Sequence, residues 1–282
     1  MLTILHASDL QCGRPFLPRA ADALVEFARD SAPDVVVVSG DLTQRAKRRE
    51  FRTAVALLAR LPRVPTVVTP GNHDVPLWRV WERVLMPYRN WREVFPAELD
   101  TVTRVPGATF VALNSSAPRR AIVNGRLDPD QVDFARSVFV DTSAADLRAL
   151  VIHHHFVPTP GGEGGRPLPG ARDSARAFES MGVDLVLGGH VHQIHVRTSR
   201  DLSGDGSLPG IPFVACGTTT SRRGRGHEVG RNSLHVIRVG AGEIEVSPHM
   251  LAAGTDAFEP VERIVLPRAR ARPSASAGRA GA

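Results

Sequence analysis

Cysteines and long apolar runs are scarce in this sequence. Cys12 and Cys216 are the two cysteines among 282 residues, which is too few for a disulfide framework, and no CxxC pair offers thiolates to a structural zinc ion. No apolar run approaches the roughly 18 residues that a membrane-spanning helix needs. Residues 1–6 lack the basic segment and cleavage site of a secretory signal. We therefore expect a cytoplasmic protein in a reducing compartment, with no membrane partner.

Acidic residues are also outnumbered. The sequence contains 29 Asp and Glu residues and 35 Lys and Arg residues, which gives a net charge of +6. A basic balance is compatible with binding to nucleic acid. The basic residues, however, are mostly Arg and are scattered along the chain, so we expect no nucleic-acid partner. Hydrophobic residues at 42% and charged residues at 23% are typical of a globular protein with a core.

Short apolar runs alternate with helical patterns over the first two thirds of the chain. Runs without polar alternation predict strands buried on both faces, here at residues 2–5, 35–38, 66–69, 149–152 and 184–187. Helical spacing of apolar residues occurs at 20–29, 49–60 and 130–140. This alternation predicts an α/β fold.

The last third of the chain has a different pattern. We expect antiparallel strands joined by Gly-rich turns at residues 212–215, 233–239 and 243–248, with one more strand at 264–266. Residues 159–169 are rich in Gly and Pro and predict a loop. Residues 267–282 have almost no apolar content. The sequence therefore predicts one folded catalytic domain over 1–266 and a disordered basic tail over 267–282.

Each of the five apolar runs in the first two thirds is followed by Asp, Asn or His. In chain order these residues are Asp9, Asp41, Asn72 with His73 and Asp74, His153 with His154 and His155, and His190 with His192. Each cluster alone has an ordinary explanation, such as a helix N-cap or a turn. Ligand sites in α/β sheets lie outside the carboxyl ends of the strands. We therefore expect the five clusters to converge at the same edge of one sheet.

Carboxylate, amide and imidazole groups without thiolate favour Mn, Fe or Zn in a catalytic site. Two divalent ions about 3.5–4 Å apart can clamp the attacking and departing oxygens of a phosphoryl displacement. Two such ions bring four positive charges, whereas Asp9, Asp41 and a bridging hydroxide bring three negative ones. The single remaining positive charge matches a phosphodiester monoanion, and a pocket of this kind stabilises charge that develops on the phosphorus oxygens.

These motifs resemble those of the calcineurin-like metallophosphoesterases. That family has the pattern D-x-H, then G-D, then G-N-H-D/E, then a strand-terminal His, then G-H-x-H. The resemblance extends from Asp9 to His192. GDLTQRAKRREF, PGNHDVP, the multi-His strand end and GGHVHQ are most similar to the bacterial class III cyclic nucleotide phosphodiesterases. The resemblance implies a two-sheet αββα sandwich with its metal site at the carboxyl ends of strands.

The resemblance also implies a role for each motif residue. Asp9 and His192 would hold the first metal ion, and Asp41 would bridge both ions. Asn72, His153 and His190 would complete the second site. His73 would protonate the leaving oxygen or bind the phosphate beside Asn72, and Asp74 would orient His73.

Two features of the motifs leave alternatives open. Three consecutive histidines compete for the fourth motif. His153 is preferred because it directly follows the apolar run; His155 shares its face of the strand, and His154 is the weaker alternative. Gln11 stands where the family usually has His. Its amide oxygen could therefore bind the first metal ion, or the side chain could hydrogen-bond to water there.

We expect a metal-dependent phosphodiesterase for nucleotides of the cyclic nucleotide type, which acts through a metal-bridging hydroxide on a small phosphorylated substrate. A nucleotide pyrophosphatase is the alternative, because some family members with Gln in the first motif cleave nucleoside diphosphate derivatives. A third hypothesis is a regulatory or binding protein with an impaired metal site. The intact motif residues argue against it.

Other polar and aromatic residues receive ordinary interpretations. His6 is expected to pack beside the site and His235 to have no special role. Residues 221–225, with three Arg, follow a strand end and could face the substrate phosphate or base, but we favour a solvated charge run. Cys12 has no adjacent base that would make it a nucleophile. We expect the aromatic residues to belong to the core or to form a cap over the cleft; they are Trp78, Trp81, Tyr88 and Trp91.

Overall fold

The computed structural model describes residues 1–120, 122–159, 162, 165–202, 210–252 and 254–268. Its first sheet has seven strands, which are β1 (Leu2–Ala7), β2 (Val35–Val38), β3 (Thr66–Val68), β10 (Ser233–Val239), β11 (Glu243–Leu251), β12 (Phe258–Pro260) and β13 (Ile264–Pro267). Their order in the sheet is β12-β11-β10-β1-β2-β3, with β13 paired to β11. β1, β2 and β3 run parallel, so their carboxyl ends share one edge.

The second sheet has six strands in the order β4-β5-β6-β7-β9-β8. They are β4 (Thr101–Val105), β5 (Ala108–Leu113), β6 (Leu147–Ile152), β7 (Leu185–Gly188), β8 (His195–Thr198) and β9 (Pro212–Ala215). β5, β6, β7 and β9 run parallel to one another. β4 and β8 pair antiparallel with β5 and β9 at the two edges.

Among the described residues, five α-helices flank the sheets: α1 (Pro18–Ser31), α2 (Arg48–Leu58), α3 (Val80–Leu85), α4 (Pro129–Val140) and α5 (Ala171–Ser180). Pro18 and Pro129 occupy the first turns of α1 and α4, where the missing N–H has no intrahelical acceptor to lose. The side chain of Gln131 also caps the start of α4, because its Oε1 accepts a hydrogen bond from the backbone N–H of Asp128 at 3.0 Å.

Buried apolar side chains form three layers. The middle layer lies between the sheets and combines residues such as Ile4 and Val37 of the first sheet with Phe110 and Val151 of the second. An outer layer packs α1 and α2 on the first sheet, and another packs α4 and α5 on the second. This arrangement confirms the predicted αββα sandwich.

The predicted strands and helices are confirmed to within a few residues at their ends. The expectation that all five polar clusters lie on one sheet is wrong: β1, β2 and β3 belong to the first sheet, and β6 and β7 to the second. Strands β4, β5, β8 and β12 and helices α3 and α5 were not expected.

The predicted tail begins two residues too early. Pro267 pairs with Glu243 within the first sheet, and Arg268 makes an ion pair with Asp184 at 3.1 Å. Residues 269–282, the rest of the predicted tail, lie outside the described residues, as do residues 160, 161, 163 and 164 of the predicted loop. Within the described parts of the chain, no helix is long and apolar enough to cross a membrane.

Candidate active site

The carboxyl ends of five strands from the two sheets meet at one place. Asp41 Oδ1 lies 3.4 Å from His153 Nε2. Asn72 Oδ1 lies 3.3 Å from His153 Nε2 and 2.9 Å from His190 Nδ1. The structure therefore brings the ends of β2 and β3 against those of β6 and β7.

Asp9 and His192 form the other half of the cluster. Asp9 Oδ1 lies 3.5 Å from His192 Nε2. The second oxygen, Asp9 Oδ2, accepts hydrogen bonds from Ser8 Oγ at 2.7 Å and from the backbone N–H of His190 at 3.0 Å. Seven residues were expected to bind metal, and the six other than Gln11 therefore lie together.

The backbone at this site is held in an unfavourable conformation. Seven non-glycine residues of the described chain have φ near +40° to +75°, and five of them are Asp9, Gln11, Asp41, His190 and His192, with φ of 52°, 48°, 51°, 73° and 58°. A left-handed non-glycine residue costs about 1–2 kcal/mol. Such strain concentrates at functional sites, where the surrounding structure enforces it.

Close approach of the polar loops requires glycine at two positions. A Cβ on Gly71 would overlap the carboxylate of Asp41, and one on Gly189 would overlap Ser8 Oγ and lie 2.5 Å from Asp9 Oδ2. Neither neighbour can retreat without moving a candidate ligand. The glycines of the GNHD and GGHVH segments therefore set the spacing of the carboxylates.

The donor set fits a pair of divalent ions. Asp9 Oδ1 is buried and has no hydrogen-bond partner among the described residues, although it faces His192. Ligand atoms around an ion with bonds of about 2.0–2.2 Å are about 2.8–3.6 Å apart, from octahedral to tetrahedral geometry. The separations between the donor atoms of Asp41, Asn72, His153 and His190 are close to this range. The donor atoms of Asp9, Asp41 and His153 also all lie within 4.8 Å of one another.

His153 is the histidine of the fourth motif that faces the cluster. Its Nδ1 donates to the carbonyl oxygen of Ser39 at 2.7 Å, which leaves Nε2 directed at Asp41 and Asn72. A metal-binding histidine is commonly held in this way through its other nitrogen. Burial lowers the pKa of His153, but Asp41 and Asp9 more than offset this and raise it above the ordinary value.

The neighbouring histidines are placed differently. His154 Nδ1 lies 2.7 Å from Ser115 Oγ, on the other side of the strand end. His155 stacks on the ring of His190 at 5.5 Å. Burial lowers the pKa of His190 well below its ordinary value and that of His192 to about 4. Both rings are therefore neutral near pH 7, the form that binds metal.

Gln11 enters the site, but its amide is not oriented as a metal ligand. Its Nε2 donates to Asp41 Oδ2 at 3.2 Å and lies 3.5 Å from His192 Nε2, whereas its Oε1 accepts from Arg223 Nη1 at 2.8 Å. Both partners dictate the same orientation, because a guanidinium only donates and a carboxylate only accepts. In this arrangement the Gln11 oxygen binds Arg223, and a role of Gln11 as a metal ligand stays a prediction.

Arg223 contacts the site, although the sequence interpretation preferred a solvated run for residues 221–225. Its Nη1 contacts His73 Nε2 at 3.0 Å as well as Gln11. Burial lowers the pKa of Arg223, and Asp41 and Asp9 oppose this effect. Within residues 221–225 the interpretation as a solvated run suits Arg222, which is exposed and donates to the carbonyl of Arg14. The signal for Arg223 in the sequence was its position shortly after the end of β9.

His73 is held at the edge of the cluster. Its backbone N–H donates to Asp41 Oδ1 at 2.8 Å, and its Nδ1 donates to the carbonyl of Gln44 at 2.9 Å. Nε2 therefore carries the lone pair and accepts from Arg223. Both ring nitrogens of His73 are therefore engaged by Gln44 and Arg223.

Asp74 does not orient His73 directly, contrary to the expectation. Its carboxylate accepts hydrogen bonds from the backbone N–H groups of Leu42, Thr43 and Gly71 and from Thr43 Oγ1, at 2.8–3.1 Å. Burial and the charge of Asp41 raise the pKa of Asp74 to about 7. Asp74 joins the loops after β2 and β3, and the carbonyl of Gln44 orients the ring of His73.

The aromatic residues after the third motif divide into two pairs. Tyr88 and Trp91 are 7% and 2% exposed and belong to the core, whereas Trp78 and Trp81 are 71% and 80% exposed. Cys12 is buried, and burial together with Asp74 and Glu50 raises the pKa of its thiol to about 12. This agrees with its interpretation as an unreactive thiol.

Comparisons with known proteins give a family and a fold. Residues 2–194 match the family model described as calcineurin-like phosphoesterase. No curated protein matches the chain. Similar structures include purple acid phosphatase PPD1 from yellow lupin, at 14% identity and a TM-score of 0.68, with 95% of this chain and 54% of PPD1 covered. This chain therefore spans about half the length of PPD1.

Two further structures are similar over almost their whole length. A dimetal phosphatase from Danio rerio has 12% identity and a TM-score of 0.63, with 95% of this chain and 99% of that protein covered. GAP50, the anchor in the inner membrane complex of Plasmodium, has 13% identity and a TM-score of 0.61, with 95% and 89% covered. At these identities the likeness shows the fold alone. The match over residues 2–194, more than half of the chain, shows that the protein belongs to the calcineurin-like phosphoesterases, a family of metal-dependent phosphoester hydrolases with a dinuclear divalent centre.

Proposed function

We propose that the protein is a phosphodiesterase for nucleotide substrates of the cyclic nucleotide type. Hydrolysis is supported above all by one observation: the unpartnered, buried Asp9 Oδ1 faces His192 within a cluster of carboxylates and neutral imidazoles. The choice of a nucleotide diester rests on the similarity of the GDLTQRAKRREF, PGNHDVP and GGHVHQ segments to class III cyclic nucleotide phosphodiesterases.

The proposed ligand residues divide between two ions. Asp9 and His192 would hold one ion, and Asn72, His153 and His190 would hold the other. Asp41 would bridge both. Mn, Fe and Zn all suit this set of oxygen and imidazole donors. Divalent ions, when bound there, supply the positive charge that polarises the phosphoryl oxygens and activates the attacking water.

His73 and Arg223 would act on the substrate. Hydrolysis adds the oxygen of a water molecule to phosphorus and a proton to the leaving oxygen. His73 Nε2 is the atom proposed to deliver that proton. In the arrangement described, this atom accepts a hydrogen bond from Arg223 at 3.0 Å. A substrate phosphate that drew the guanidinium away would free His73 Nε2 to hydrogen-bond to the leaving oxygen.

Arg223 also favours a second candidate, a nucleotide pyrophosphatase. Its charge raises the net positive charge of the site from one to two, which matches the two charges of a diphosphate diester. The amide of Gln11 lies between Arg223 and Asp41, since its two ends contact one residue each. The added charge is therefore one amide away from the proposed ion cluster. That position suits the second phosphoryl group of a diphosphate better than a second charge on the same phosphorus.

A panel of substrates with added Mn, Fe or Zn tests both candidates. Cyclic nucleotides, dinucleotide or sugar diphosphates of nucleosides, and simple phosphomonoesters are compared by kcat/KM in one buffer. We expect a nucleotide diester or diphosphate to be hydrolysed faster than any monoester. Tenfold faster turnover of monoesters would refute the substrate assignment. Absence of turnover with any metal, together with retained nucleotide binding, would favour a binding protein.

A further inference from the structure

A second group of metal-binding side chains lies behind the phosphoesterase centre. His6 of β1 pairs directly with His235 of β10 in the first sheet, and Cys216 follows β9 of the second sheet. All three residues are fully buried. One nitrogen of each histidine and the sulfur of Cys216 lie within 4.8 Å of one another.

The nitrogens of this group are poorly satisfied by the protein itself. His6 Nε2 is hydrogen-bonded to Ser39 Oγ at 2.8 Å, whereas His6 Nδ1 and both nitrogens of His235 have no partner among the described residues. A neutral imidazole always carries one N–H. Buried polar groups are nearly always hydrogen-bonded. The two unbonded nitrogens of His235 therefore indicate a binding partner that is not a protein atom.

The protonation states suit a cation that binds sulfur. Burial lowers the pKa of His6 well below its ordinary value and that of His235 to about 3, so both rings are neutral and offer lone pairs. Burial and the charge of Glu228 raise the pKa of Cys216, which makes it a thiol near pH 7 in the absence of a cation. A bound cation would take the thiolate and release the thiol proton.

We propose that His6, Cys216 and His235 form a third metal site, which binds one ion of the Zn(II) or Cu(I) class. Thiolate with imidazole selects these ions over Mg, Ca and Mn. Donor atoms in a tetrahedral zinc site lie about 3.3–3.6 Å apart. The donor atoms of His6, Cys216 and His235 now lie up to 4.8 Å apart. Small side-chain rotations that move these atoms by about 1 Å would bring them to the tetrahedral spacing.

The site would be structural. It joins β1 and β10 of one sheet to the end of β9 in the other. It also reaches the phosphoesterase centre through Ser39, whose hydroxyl contacts His6 and whose carbonyl accepts from His153. An ion here would hold Ser39, and through it the orientation of His153.

The test uses cobalt, because a thiolate bound to Co²⁺ gives a near-ultraviolet charge-transfer band. The proposed ligands of the phosphoesterase centre contain no sulfur, so the band reports the third site alone, whatever the activity of the protein. The full chain is expressed in medium supplemented with Co²⁺, since the buried group is best filled during folding, and is then dialysed. We expect a band with the intensity of one thiolate-bound cobalt per chain.

Variants assign the band to its ligands. Cys216→Ser and His235→Gln should abolish it, whereas Cys12→Ser, which removes an equally buried thiol, should leave it unchanged. X-ray absorption at the cobalt edge of the wild-type protein should show one sulfur ligand and needs no variant. Cobalt-loaded wild type with neither the band nor a sulfur ligand would overturn the proposal, as would a band that survives in Cys216→Ser.

A parallel culture that contains both zinc and copper distinguishes the two ions. Elemental analysis should find one more zinc or one more copper per chain in the wild type than in Cys216→Ser. Equal metal contents in the two proteins would also overturn the proposal.

Discussion

Replacement of Arg223 by Gln tests how the site recognises phosphate. Arg223 Nη1 contacts Gln11 Oε1 and His73 Nε2, so the guanidinium lies between the proposed acid and the proposed ion cluster. A hydrogen bond to a charged group contributes about 1.5–3 kcal/mol. If the guanidinium binds a substrate phosphate, its loss should lower kcat/KM by about 10- to 150-fold.

The size of the loss should depend on the substrate. A diphosphate, which places its second charge near Arg223, should lose the full amount, whereas a cyclic nucleotide should lose less. Metal content should stay at the wild-type level, because Arg223 is a cation and ligates nothing. The assay is steady-state hydrolysis of both substrate classes, with elemental analysis of the same preparations.

Arg222→Gln is the matched control. Arg222 is the adjacent residue, yet it is exposed and donates to the carbonyl of Arg14, away from the site. Its replacement should leave kcat/KM within about twofold, as expected for a surface change of under 0.5 kcal/mol. If Arg223→Gln behaves like Arg222→Gln on every substrate, the guanidinium has no part in substrate binding and the argument for a diphosphate is lost.

Three further replacements test the rest of the site. Asp41→Asn should lose bound metal and activity together, and an Asp41→Asn protein with two metals and near-native turnover would exclude a bridging role. His73→Ala should keep its metals but lose about 10²- to 10⁴-fold in rate, with a smaller loss for nitrophenyl esters; equal losses for good and poor leaving groups would indicate a positioning role. Gln11→His should bind metal more tightly and shift the preference from Mn toward Zn or Fe, as measured by metal titration, and affinities identical to the wild type would contradict this expectation.

Much of the fold was predictable because its central strands are continuous apolar runs. The four valines of β2 and the apolar run of β6 are buried on both faces, which is the pattern of a parallel strand between layers. α5 was missed because small residues, Ala171 and Ala175, form most of its buried face beside Phe178. A search for large apolar residues at helical spacing finds only Phe178 in this segment. α3 was missed because it buries no residue.

The assignment of strands to sheets was not predictable from the runs themselves. β1 is flanked by β2 and β10, and β7 by β6 and β9, so strands close in the chain and strands far apart pair equally well. A run buried on both faces has the same sequence pattern in either sheet. Sheet membership depends on which backbone groups pair across long distances, and that is decided when the layers pack.

The sequence by itself determined which residues meet at the candidate site, apart from Arg223. Polar residues that directly follow an apolar strand must lie at its carboxyl end, which is how Asp9, Asp41, Asn72, His153 and His190 were found. This information is local: it needs only the strand, its end and the next few residues.

The tertiary structure decided what each polar atom contacts. The orientation of the Gln11 amide is set by Arg223, 212 residues further along the chain. The carboxylate of Asp74 is turned toward the loop after β2 and away from the ring of His73. His6 and His235 meet only because β1 pairs with β10. Hydrogen bonds act over about 3 Å, and partners so distant in sequence come within that range only when both sheets are in place.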